Sequence, residues 1–149
     1  MVYQVPVPLR EPAFPIPATL FTNGLVHVLE DTELMFILMM TACHHAVGGQ
    51  EFRVPTEGRL LRFGIGRDAY EAHMMLSQLG LIKVTQDPGR HPDGKVRDFN
   101  SGEQALPHTL GFIPAGFERD AFTTLRAQID YQLKEGVARR DLRRITSTI

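Results

Sequence analysis

At 149 residues, 43% hydrophobic and 22% charged, the chain is long enough to build one domain around a core, which excludes global disorder. No run approaches the roughly 18 apolar residues of a membrane helix, and a single cysteine, Cys43, excludes an internal disulfide. A formal net charge of -1 excludes a globally basic surface, so any contact with a polyanion has to be local.

Residues 1–20 hold five of the ten prolines. VPVPLREPAFPIP suits neither a helix nor a central strand and reads as an extended arm over residues 1–24. The opening MVYQVPVPLREP has no basic start and no apolar core of a signal peptide, so a cytoplasmic protein is expected. Phe21-Thr22-Asn23-Gly24 reads as a turn, and Leu25 to Leu29 as a short first strand. Asp31 or Thr32 is placed to cap the next helix, with acids favouring its positive end. The body of that helix, from Leu34 to His45, is apolar nearly all round and should be deeply buried. Gly48-Gly49 stops it, and Glu51 to Val54 is a short extended link.

From Val54 to Val84 the chain reads VPTEGRLLRFGIGRDAYEAHMMLSQLGLIKV. Pro55 suits the first position of a helix, where its missing N–H costs nothing. Gly64 ends that helix, and a second runs from about Arg67 to Leu79. Ala69, Ala72, His73, Leu76 and Leu79 recur at helical spacing and form its buried face. That leaves Arg67, Asp68, Tyr70, Glu71, Met74 and Gln78 free. Gly80 stops the second helix, and Leu81 to Val84 alternates as a strand. Asp87-Pro88-Gly89 and Pro92-Asp93-Gly94 are turns, with Arg90, His91 and Lys95 near the loop tip. Lys95 to Phe99 reads as the returning strand, and His108 to Ile113 as a further extended piece. The last helix spans about Glu118 to Glu135, with Phe122, Leu125, Ile129 and Leu133 in one stripe and Gly136 as an interruption. Residues 114–149 therefore form a C-terminal helix with a basic tail.

Two short helices joined by a tight turn match the helix-turn-helix unit. A second helix running into LGLIKV and a Gly/Pro-rich loop resembles the winged-helix family, as in small regulator-like proteins of high-GC bacteria. The resemblance covers about Leu25 to Ile113. It implies an α+β fold, a three-helix core with a small antiparallel wing sheet. It also implies a non-enzymatic role in which the second helix enters the major groove of double-stranded DNA. Arg67 then pairs with guanine, Glu71 with cytosine, and Asp68, Tyr70 and Met74 lie beside them on the reading face. Arg59 and Arg62 hold the backbone, with Lys83, Arg90, His91, Lys95 and Arg97 on or near the wing. In dimeric members of the family, added terminal helices form the two-fold interface, which implies a homodimer here. The arginines 139, 140, 143 and 144 either touch phosphates or form a solvated tail.

The charge distribution agrees with a local polyanion surface. Residues 53–97 carry eight Lys/Arg and five acids, while residues 1–52 carry one Arg and five acids. Met74 and Met75 suit a core or a protein interface better than a groove. Winged helices also serve as protein-docking modules, and a plasmid or phage replication or partition factor is a related alternative. Cys43-His44-His45 suggests a metal-sensing regulator, but three consecutive helical residues diverge and the zinc spacing is missing, so no metal or cofactor is expected. Gly64-Ile65-Gly66 lacks the third glycine and the Lys-Ser/Thr of a phosphate loop. No carboxylate pair stands out for acid–base work, and no small-molecule substrate is indicated.

Overall fold

The computed structural model describes residues 14–97 and 105–146, with side chains described as far as 136. The proline-rich residues before 14, the end of the expected 95–99 strand and the side chains of Arg139, Arg140, Arg143 and Arg144 lie outside the described portion. Among the described residues no helix is long and apolar enough to cross a membrane.

The chain folds as mixed α and β. A short helix α1 (Thr19–Thr22) buries Leu20 where a turn was expected. Leu25–His27 is a 3-10 turn, not the expected strand. The reason lies in the spacing of its apolar residues. Leu25 and Leu29 are both buried while Val28 is 37% exposed, so residues four apart share one face.

Helix α2 (Asp31–Ala46) opens on a capping box. The cap is Glu30, one residue before the expected position, and its amide donates to Glu33 Oε2 at 2.8 Å. Phe36, Ile37, Met39 and Met40 are fully buried and form the middle of the core. Met35 and Leu38 stay about two-fifths exposed (40% and 39%), so the helix is not surrounded as its composition implied. Gly48 and Gly49 follow with φ of +63° and +87°, which ends the helix as expected.

Strand β1 (Phe52–Arg53), helix α3 (Thr56–Phe63), helices α4 (Arg67–Tyr70) and α5 (Ala72–Gln78), and strand β2 (Ile82–Thr85) come next. The partner of β2 is β3 (Thr109–Phe112), not the expected strand at 95–99. The sheet order is β1-β3-β2, all antiparallel, with Ile82 opposite Phe112 and Phe52 opposite Leu110. Apolar pairing selects this register, because Ile82 and Leu110 are each 1% exposed and fill the core side. Among its described residues, the loop that was read as a wing hairpin retains a single bridge, Arg90 with Val96.

A 3-10 turn at Pro114–Glu118 buries Phe117, which stacks on Phe112 with ring centres 4.8 Å apart. Helix α6 (Ala121–Thr146) follows and passes through Gly136 without the expected interruption. Among its described side chains only those at its start enter the core. Ala121 and Thr124 are buried, whereas Phe122, Ile129 and Leu133 are 73%, 56% and 59% exposed.

Candidate functional site

The site forms where α3 meets α4. Pro55 precedes α3 with φ -57°, and no side chain caps the first turn. Gly64 ends α3 at φ +68°, a left-handed position that favours glycine. Ile65 is then fully buried and anchors the turn between the helices.

The expected continuous helix 67–79 breaks at Glu71. The cause is a side chain on the buried face. His73 Nδ1 lies 2.5 Å from the Tyr70 carbonyl oxygen, and the Met74 amide bonds to Glu71 instead of Tyr70. His73 Nε2 lies 2.8 Å from the Pro92 carbonyl oxygen, so this one ring ties the break to the following loop.

Two expected surface residues turn inward. Tyr70, placed on the reading face by the periodicity, is 7% exposed. It packs against Phe36 and His73, with ring centres 5.8 and 4.6 Å away. Arg59, expected to grip a DNA backbone from the surface, is also 7% exposed. Its guanidinium carbon lies 3.9 Å from the Tyr70 ring centre, a cation–π stack. Gly94 closes the edge of the same ring, where an added Cβ would meet Tyr70 Cε1 at 2.5 Å. Burial pushes the Tyr70 hydroxyl above its ordinary pKa, opposed by Arg59 and Arg90.

The loop after β2 folds against this region. Arg90, expected at a free tip, donates to three carbonyl oxygens: Gly94 at 2.6 Å, Leu106 at 2.8 Å and Ala105 at 3.1 Å. It holds the loop together and is half-buried. Lys95 is exposed, with its ammonium 2.5 Å from Asp93 and 3.9 Å from Glu71. His91 and Arg97 are exposed, and Arg97 Nε donates to the Arg90 carbonyl at 3.0 Å.

His108 fixes the base of the loop. Its Nδ1 accepts from the Asp87 amide and its Nε2–H donates to the His91 carbonyl, each at 3.2 Å. Both bonds fit a neutral ring. Burial lowers the pKa of His108, and the nearby His73 and Arg90 charges add to this, while its bonds to the loop carbonyls oppose it. Folded His108 therefore binds fewer protons than unfolded His108. Its contribution to stability is complete above the ordinary value of 6.5 and is lost as pH falls from there through the lower folded value. Thermal melts between pH 7.5 and 5 should show the transition temperature falling with acid. His108→Gln keeps one acceptor and one donor, and it should flatten that slope.

The expected site residues separate into groups. Arg59, Arg67, Tyr70, Arg90, His91 and Lys95 converge around one cavity of about 530 Å³. Arg67, Asp68, Glu71 and Met74 are exposed along α4 and the start of α5. Arg62 is exposed, its guanidinium 5.5 Å from the Phe63 ring centre. Lys83 lies apart on β2 and is paired with Glu51 at 2.7 Å. Gln78 is bonded to Gln128 of α6 at 2.9 Å. The sequence reading did not assign Thr56, Gly94 or His108 to the site. The Pro92-Asp93-Gly94 turn was the one available signal for Gly94.

Cys43 is half-buried, and burial raises its thiol pKa, with Arg62 opposing. A raised thiol pKa disfavours the thiolate that a nucleophile or metal ligand requires. Among the described residues no three His, Cys, Asp or Glu side chains are grouped to hold a metal ion. Comparison with known proteins found no matching family model, no matching curated protein and no matching solved structure.

Proposed function

We propose that this chain is a winged-helix protein that binds double-stranded DNA as a non-enzymatic, cytoplasmic regulator. The observation that carries the reading is the exposure of Arg67, Asp68, Glu71 and Met74 along α4 and the start of α5, which follow α3 after a tight turn. Arg67 is in its first turn, where groove-entering helices present base contacts. The order α2, β1, α3, α4–α5, β2, β3 supports the same reading, with β3 between the other two strands as a wing sheet requires.

On this reading the roles are redistributed. Arg67 and Glu71 read bases, with Asp68 and Met74 beside them. Arg62, His91, Lys95 and Arg97 are the exposed groups for phosphates. Arg59, Tyr70 and Arg90 set the shape beneath them, and Lys83 has a smaller part because Glu51 already holds it. The exposed stripe Phe122, Ile129 and Leu133 on α6 supports a homodimer, since apolar residues seven and four apart form a helix-pairing seam.

A second reading rests on Met74 and Met75, which are 38% and 43% exposed, and on Leu60 and Leu61 at 51% and 76%. These apolar groups fit a protein-docking face. Selection of duplexes from a random pool, followed by polarisation titrations, separates the two. Arg67→Ala should weaken a selected duplex by about 1–3 kcal/mol, roughly 5- to 150-fold, and leave random DNA nearly unchanged. Lys95→Ala should weaken both alike. Equal losses for the two variants would remove the assigned roles, and no enrichment from the pool would favour the docking face.

A further inference from the structure

The cavity between α3, α4 and the 90–96 loop has a composition that its own fold does not balance. Among the described residues four cations line it: Arg59, Arg67, Arg90 and Lys95. The one carboxylate among its described lining residues, Asp93, is already held by Lys95 at 2.5 Å. Among the described residues, Arg59, Arg67 and Arg90 form no ion pair. Like charges gathered in a concave, partly dry site repel one another unless a counter-charge enters.

Arg59 supplies the second observation. It is 7% exposed, and its Nε is buried with no hydrogen-bond acceptor among the described residues. Buried donors are nearly always satisfied, so an orphan on a cationic cavity wall marks a missing acceptor. The Tyr70 ring fixes the guanidinium by stacking on its face, which leaves the N–H groups in the plane of the fork for an incoming ligand. Burial lowers the pKa of Arg59, and the Arg90 charge does so as well, against the opposing effect of Tyr70. An anion in the cavity would relieve both effects. Thr56, the first residue of the uncapped helix α3, also lines the cavity, which adds a helix start that favours negative charge.

We propose that this cavity binds a small phosphate-bearing molecule, with Arg59 and Arg67 as its main ligands. A phosphate offers several acceptor oxygens and more than one negative charge, matching the arginine fork better than a lone carboxylate does. The volume of about 530 Å³ is in the range of small-molecule sites. Burial of Arg59 favours a free molecule over a duplex backbone, whose phosphates lie along a broad surface. The inference stands whether or not the protein binds DNA.

The test is calorimetry with the full chain and sodium pyrophosphate, in EDTA, against sodium chloride of equal ionic strength. Saturable binding below about 1 mM is expected, with no matching signal from chloride. Arg67→Ala, an exposed rim change, should weaken it by about tenfold or more. Arg59→Gln should do the same, and if that variant does not fold, Arg67→Ala decides alone. Lys134→Ala, exposed on α6 and outside the cavity, should leave binding unchanged. No saturable binding up to about 10 mM, or a loss under about threefold in Arg67→Ala, would overturn the proposal. A random duplex added in place of pyrophosphate identifies the source of the phosphate. Arg59-dependent duplex binding with no pyrophosphate binding would assign these donors to the DNA backbone and also overturn it.

Discussion

Replacing Gly116 with alanine should destabilise the fold by about 3 kcal/mol, a fall of roughly 10 °C in Tm. An added Cβ would lie 2.2 Å from the Gly80 carbonyl oxygen, 3.0 Å from its carbon and 3.2 Å from Leu81 Cα. All three are backbone atoms, so no side chain can swing aside. Gly80 itself has φ +71° and terminates α5, and Arg119 donates to the neighbouring Leu79 carbonyl at 3.0 Å. The Ile113 amide bonds to the Leu81 carbonyl at 3.0 Å, fixing the same junction from the sheet side. The methyl group can fit only if the Pro114–Glu118 turn moves away from α5, which would unseat Phe117 from the core. Gly58→Ala is the control. Nothing lies within 4 Å of its added Cβ, and it sits inside α3, so a gain of up to about 1 kcal/mol is expected. Urea melts of both variants measure the contrast. A Gly116→Ala variant as stable as the parent would show that the junction yields freely.

The second large effect concerns assembly. Ile129→Asp combined with Leu133→Asp should convert a dimer to a monomer, read by light scattering on a sizing column. Both residues are more than half exposed on α6 and lie well beyond Thr124, the last residue of the helix classed as buried among the described side chains. Their loss should therefore leave the fold intact. A dimer positions two reading helices on one duplex, and tethering of this kind raises affinity by about 10²- to 10⁴-fold. The double variant should lose about that much for a paired-site duplex and little for a single site. A parent protein that is monomeric at tens of micromolar would remove this prediction and the homodimer together.

Local order was legible in the residues, while long-range closure was not. The α2 helix, the α3–α4 turn at Gly64 and the β2 strand each carry their own signals in spacing and glycine placement. The pairing of β2 with Thr109–Phe112 does not. It depends on burying Leu110 against the core across a connection of more than twenty residues, and nearby residues 95–99 looked equally extended. The break at Glu71 was hidden because His73 fits the apolar stripe, and periodicity does not show that its ring competes for the Tyr70 carbonyl. Arg59 was missed for a similar reason. A charged residue on an amphipathic helix reads as exposed, and only the folded chain brings the Tyr70 ring over it. The exposure of Arg67, Asp68 and Glu71 was legible from sequence because no described segment buries them.

Hydrogen exchange of the full chain with and without a selected duplex, at about 50 mM salt, tests the central claim most directly. Slowed exchange is expected across residues 66–75 and 90–97, fading as salt is raised to about 200 mM. Duplex that leaves those amides unchanged, or protects only α6 or the Leu60-Leu61 surface, would contradict it.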